Sequence, residues 1–162
     1  MRIALVTVAL ALAACPSGKP VAVVPPPPKT PREVVAAGRA TVEQWRQAYE
    51  VKSLDALAKL YAHDVELVVV QDGLPWIGWT SVEAMLRDRL ARAKQIHVRL
   101  KDVQVLSIAP VAASVLATMT REIGDGVTTV TEHGTLTIVL RRDEASGAWL
   151  IVAEHYSYKR GA

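Results

Sequence analysis

Four histidines and a scatter of carboxylates are the residues of this 162-residue chain whose types could move a proton. His155 stands in an alternating segment, Trp149 to Lys159, and imidazole titrates near neutral pH, which suits it to proton transfer. A core histidine held by hydrogen bonds to its neighbours is the other reading of the same residue. Asp64 follows His63 between a helical segment and a β-branched run, where a carboxylate either acts as a general base or simply closes a turn. His63, His97, His133 and His155 have no mutual spacing that makes one metal site, and no His-x-x-x-His pair occurs. Glu132-His133 and Glu154-His155 repeat a motif, but neighbours on a strand point to opposite faces, so neither pair converges on one ion. His133 and His155 could still face each other across strands. There is no phosphate-binding glycine loop, nucleophile elbow or dinucleotide fingerprint, so the sequence calls for no metal and no cofactor.

The elements that must position these groups read clearly. Val34, Val35, Val42, Trp45, Ala48 and Tyr49 recur at helical spacing, with Trp45 and Tyr49 on one face. Ser53 caps a second helix, expected to reach about Ala62 on an apolar stripe of Leu54, Leu57, Leu60 and Tyr61. Val65 to Gln71 reads as a buried strand, and Asp72-Gly73 turns it into a hairpin through Leu74 to Trp79. Thr80 and Glu83 have the spacing of a capping box for a third helix carrying Val82, Met85, Leu86 and Leu90. From Ile96 the period drops to two, and four long strands follow, ending in Trp149 to Lys159. Gly134 interrupts the third of them and suggests a bulge. Alternation in the last strand puts Trp149, Ile151, Ala153, His155 and Ser157 on one face and Leu150, Val152, Glu154, Tyr156 and Tyr158 on the other. Trp76 and Trp79, beside the Gly73 and Gly78 turns, either pack or form the rim of a cavity.

The order helix, helix, hairpin, helix, four strands resembles the cone-shaped α+β fold of the nuclear transport factor 2-like superfamily, specifically its SnoaL-like members. Trp45-Arg46-Gln47-Ala48-Tyr49, Leu54-Asp55-Ala56-Leu57 and Leu60-Tyr61-Ala62-His63-Asp64-Val65 are similar to that family's opening. Trp149-Leu150-Ile151-Val152-Ala153-Glu154-His155-Tyr156-Ser157 is similar to its closing strand. The resemblance implies a curved antiparallel sheet wrapped on three helices, with the His155 face turned into the cone. His155 and Asp64 are then the catalytic candidates, and Trp45, Tyr49, Trp76, Trp79 and Trp149 the pocket-lining ones. The fold hosts isomerases, cyclases, hydrolases, binding modules and assembly domains, so it fixes no reaction.

The one cysteine, Cys15, closes the run Leu12-Ala13-Ala14-Cys15 behind a charged Arg2 and an uncharged apolar stretch. That is the layout of a secretory signal, and the stretch is shorter than the roughly 20 apolar residues that cross a bilayer. The cysteine after small residues resembles the lipobox of bacterial lipoproteins, which implies a lipid on Cys15 and cleavage just before it. Pro16 to Pro31 holds seven of the nine prolines and favours an extended, hydrated spacer. The chain thus divides into a signal at 1–14, a lipidated cysteine and tether at 15–31, and a SnoaL-like domain at 32–162. Loss of the signal leaves 18 basic against 16 acidic residues, too balanced and too scattered for nucleic acid. The expected address is the bacterial envelope, by preference the outer membrane facing the periplasm, since Pro16 stands where an aspartate would hold many lipoproteins at the inner one.

Three classes of function stay open on the sequence. The domain binds a small apolar ligand or a protein partner, or performs cofactor-free acid-base chemistry with His155 and Asp64, or is a structural subunit. A homodimer through the sheet is also expected, because Val103, Val105, Leu136, Ile138 and Leu140 offer apolar residues for two faces.

Overall fold

The computed structural model describes residues 26–28 and 30–160, with nothing said of the Arg160 side chain. The apolar start, Cys15 and most of the proline segment lie outside the described residues.

Helix α1, Pro31–Glu50, starts on a true capping box: the Thr30 hydroxyl accepts from the Glu33 amide, and the Glu33 carboxylate accepts from the Thr30 amide. Its buried face carries Val34, Val42, Trp45, Ala48 and Tyr49, as the helical spacing requires. Ser53 caps α2, Leu54–Ala58, which is shorter than expected. The chain leaves the helix early because residues 60–62 bond to the last strand, Ala62 N–H to the Ile151 carbonyl and Ile151 N–H to that of Leu60. Strand β1, Val68–Gln71, also starts late, since the Asp64 carboxylate first holds the amides of Glu66 and Leu67 in a turn. Asp72 (φ 54°) and Gly73 (φ 72°) both sit in the left-handed region, the pattern of a type I′ turn into β2, Leu74–Ile77. Helix α3, Trp79–Arg92, begins on Gly78 with no side-chain cap. The box expected at Thr80 and Glu83 does not form, because both residues already lie inside the helix.

Four long strands follow: β3 Gln95–Ala109, β4 Ala112–Gly124, β5 Thr129–Arg142 and β6 Trp149–Arg160. The curved, unclosed sheet has the order β2-β1-β6-β5-β4-β3, antiparallel except where β1 runs parallel to β6. The helices lie against its inner face, and the core between them is made by Trp45, Tyr49, Leu57, Leu86, Met119, Leu136 and Ile138 with their neighbours.

Two register shifts decide which side chains enter that core. In β3 the pairing slips between Lys101 and Gln104, at Asp102 with φ 53°, so the inward set changes from Ile96, Val98 and Leu100 to Val103 and Val105. In β6 the partner of Val139 is Ala153 while that of Leu140 is Ile151, which leaves Val152 as the extra residue. Inward parity therefore runs through Ile151 and resumes at Glu154, Tyr156 and Tyr158. Gly134, expected to mark a bulge, pairs in unbroken register with Met119 and Tyr158. Its reason is close approach: a Cβ there would stand 1.9 Å from the Ser157 carbonyl oxygen and 2.7 Å from the Tyr158 Cα. Gly134→Ala should lower stability by about 2–3 kcal/mol, the upper part of the range for overpacking, as read from urea unfolding.

Val103, Val105, Leu136, Ile138 and Leu140 all turn toward the helices, so the apolar residues that suggested a paired sheet face serve one face only. The outer face is instead rich in small polar groups, Thr118, Thr120, Thr135, Thr137 and Ser157 among them. The outer side of β3 and β4 also carries the exposed Leu106, Ile108 and Leu116.

Candidate functional site: a charged cluster inside the cone

Glu154 is 2% exposed and sits at the centre of the cone. Its Oε2 accepts from the Tyr61 hydroxyl at 2.5 Å and from the Trp45 indole N–H at 3.2 Å, while Oε1 accepts from the Gln71 amide at 3.0 Å. The Trp45 N–H is shared, since the Tyr61 oxygen also stands 2.9 Å from it. Burial pushes the Glu154 pKa up, against the pull of the Tyr61 hydrogen bond and of Arg121 and Arg89. Burial, and then the Glu154 charge, drive the Tyr61 hydroxyl well above its ordinary range, so it stays a donor.

Arg121 continues the cluster. Arg121 and Glu132 face each other directly across β4 and β5, and both are buried. The guanidinium donates from Nε at 2.9 Å and Nη2 at 2.7 Å to the same Glu132 oxygen, and Nη2 lies 3.4 Å from the Gln71 carbonyl oxygen. Its plane rests over the Tyr156 ring, 4.9 Å from the centroid. Burial disfavours the Arg121 charge, but Glu132 outweighs it and the pKa is raised. Burial likewise raises the Tyr156 hydroxyl to about 12. Burial raises the Tyr49 pKa, against the pull of Arg89 beside the hydroxyl, whose guanidinium favours the tyrosinate. Arg121 Nη1 and Tyr156 Oη are buried without a hydrogen-bond partner in the protein.

Arg121, Glu132 and Arg89 also line a pocket of about 420 Å³ between the last turn of α3 and the β4–β5 end of the sheet. That size falls in the range of small-molecule sites, roughly 300–1,000 Å³. Ala93, Ile123, Val130 and Tyr158 supply its apolar wall.

The residues expected to carry chemistry fare unequally. His155 is exposed, on the outer face of the sheet, because the extra residue at Val152 reverses the parity of everything after it. The prediction that it points into the cone is corrected: Glu154 takes that position. Asp64 lies outside the cone: one oxygen caps the turn before β1 and the other accepts from Arg141 at 2.8 Å. Trp45 and Tyr49 are fully buried in the cone and packed edge to face, 4.7 Å apart. Neither lines the pocket. Trp76 and Trp149 are half-buried packing residues, and neither borders the pocket at Arg89 and Arg121. Trp79 stacks on His63 at 4.2 Å and borders a separate surface pocket with Asp64 and Ile77. No group of three histidine, cysteine or acidic side chains is arranged for a metal among the described residues.

Glu154, Arg121, Glu132, Gln71 and Tyr61 are the residues that sequence reasoning missed. For two of them the signal was present. Leu136, Ile138 and Leu140 fix the inward parity of β5, and Glu132 is in phase with them. Val115, Ala117 and Met119 do the same for Arg121 on β4.

A curved six-stranded sheet around buried acid, arginine and tyrosine groups, with a pocket opening beside them, makes this a cone-shaped α+β domain. The description of a SnoaL-like domain matches residues 39–160, and the chain belongs to that family. Solved structures share the fold at low identity. A candidate dehydratase of the NTF2-like family from Streptomyces avermitilis is 22% identical with a TM-score of 0.72, over 80% of this chain and 99% of that one. A candidate scytalone dehydratase from Novosphingobium aromaticivorans is 9% identical with a TM-score of 0.69, over 76% and 83%. An NTF2-like superfamily protein from Salmonella enterica is 14% identical with a TM-score of 0.67, over 78% and 89%. No curated protein matches the chain.

Proposed function

We propose that this chain is a lipid-anchored domain of the bacterial envelope that holds a small molecule in the pocket bordered by Arg89, Arg121 and Tyr158. The observation that carries the binding reading is the separation of the pocket from the acid-base group. Glu154, the one buried carboxylate with a raised pKa, receives three donors and does not border the pocket, whereas Arg121 links the two. Two structural neighbours bear dehydratase in their names, and eliminating water from a substrate needs a proton acceptor at the ligand. Neither His155 nor Asp64 stands at this pocket, and the two carboxylates that do are already engaged, Glu132 by the Arg121 guanidinium and Asp125 by the amides of Val127 and Thr128, so the binding reading is preferred. The anchor rests on the Leu12 to Cys15 run and the proline spacer behind it.

Mass spectrometry of the full chain, extracted from membranes in detergent, tests both parts. Denaturing spectra should give a chain beginning at Cys15 with the mass of attached lipid, and Cys15→Ser should lose both the lipid and the membrane fraction. Native spectra should show an added small-molecule mass that denaturation removes. An unprocessed, unmodified N-terminus removes the anchor, and a protein that retains no small molecule from cell extract removes the binding reading.

A further inference from the structure

We infer that the tip of the β3–β4 hairpin lies on the lipid surface and sets its apolar side chains into the headgroup region. The inference rests on the reading that Cys15 carries a lipid, and it assigns a second contact with the membrane, made by the folded domain itself.

From Val103 on β3 to Thr120 on β4 no residue is charged. Val103, Val105, Val115 and Met119 turn toward the helices and are spent on the core. The outward positions carry Leu106, Ile108 and Leu116, which are 66%, 57% and 45% exposed, and the turn adds the exposed Pro110 and Val111. The other hairpin turns hold Asp72-Gly73, Asp125-Gly126 and Asp143 to Gly147, the acids and glycines that turns in water favour. The turn Ala109-Pro110-Val111-Ala112 has neither. The apolar surface is also confined to this end. At the far end of the same two strands the outer face carries His97, Arg99, Thr120 and Glu122, with Arg99 paired to Glu122. A local apolar patch with a polar rim marks a contact site for protein or membrane.

Position selects the occupant. Pro28, Thr30 and Pro31, where the chain enters the domain, share a small pocket with Ser107, Ile108 and Pro110. The patch therefore lies where the tether joins the domain, and the tether ends at Cys15. At ~3.1 Å per residue, the stretch from Cys15 to Pro28 reaches at most about 40 Å. A covalent link of that reach holds the patch near the lipid at an effective concentration on the order of millimolar, so a few apolar side chains suffice. Such contacts sink only about 5–10 Å into the headgroup and acyl boundary, whereas a standard protein interface takes about 20–30 residues from each side. Charge at this end is mixed: Arg141 and Arg142 lie beside Ala112 and Val111, and Asp143 and Glu144 follow them. Apolar burial, not attraction to anionic headgroups, therefore drives the contact.

The full chain, its lipid checked by mass spectrometry, should be reconstituted in phosphatidylcholine vesicles at less than one copy per vesicle. An environment-sensitive NBD label on Ile108→Cys should emit to the blue of the same label on Val127→Cys, which is 91% exposed at the opposite end of the sheet. Nitroxide-bearing lipid should quench the label at 108 and spare the one at 127, and more strongly with the nitroxide at the top of the acyl chain than near its end. Added phosphatidylglycerol should change neither signal. Leu106→Gln with Leu116→Gln, both at exposed positions, should keep the circular dichroism spectrum and lose the blue shift and the quenching. A label at 108 that behaves like the one at 127 overturns the contact and leaves the anchor standing. A blue shift without lipid quenching, or one that appears only at many copies per vesicle, overturns it in favour of a second copy as the cover. A signal that requires phosphatidylglycerol overturns the apolar account. If the mass shows no lipid on Cys15, the anchor and the contact fall together.

Discussion

Arg121→Met is expected to destabilise the domain by about 3–5 kcal/mol, the cost typical of removing one partner from a buried ion pair. Arg121 and Glu132 have side chains 1% and 4% exposed, and Glu132 receives two of the guanidinium donors. Without Arg121, the Glu132 carboxylate stays buried with both guanidinium donors gone, the Tyr156 and Tyr158 rings lose the cation over their faces, and Gln71 loses a neighbour on its carbonyl side. The paired replacement Arg121→Met with Glu132→Leu removes both charges and should recover most of the loss, because apolar side chains of similar volume fill such sites well. Urea unfolding of the two single variants and the double gives the coupling directly. A single-variant loss below about 1 kcal/mol, in the range of exposed pairs, would show that the pair is not desolvated as described.

The order of elements was legible because each rests on a local signal that tertiary structure did not override. Ser53 caps α2, Asp72-Gly73 makes the hairpin, and the change of period near Ile96 begins the long strands. The site was less legible, and the reason is concrete. A two-residue period carries facing information along a strand only until the first extra residue, and Val152 is such a residue. It leaves no mark in the sequence, being an ordinary β-branched residue among others. Every face assignment beyond it was therefore inverted, which exchanged His155 for Glu154. Gly134, which did look like a bulge, marks the close passage of β6 instead. On β4 and β5, where no shift intervenes beside the cluster, the apolar parity carries through to Arg121 and Glu132.

Glu154→Leu should cost about 3 kcal/mol or more, and Glu154→Gln much less, with a difference that depends on pH. Leucine removes the acceptor for three buried donors, the Tyr61 hydroxyl, the Trp45 indole and the Gln71 amide, each worth about 1–3 kcal/mol when left unsatisfied. Glutamine keeps one acceptor oxygen and the side-chain volume. The pH dependence follows from the direction in which burial moves the acid. In the unfolded chain Glu154 titrates at its ordinary value near 4.5, and in the cone its pKa is higher. The folded state therefore holds the proton more tightly. The stabilisation linked to that proton is complete below the unfolded value and is lost as pH rises through the folded one. Urea midpoints of the wild type and of Glu154→Gln, taken from about pH 5 to about pH 8, should converge as pH rises, because only the wild type has the Glu154 carboxyl to ionise. Parallel curves would mean that Glu154 is charged in the folded state throughout, held so by its three donors and by Arg121.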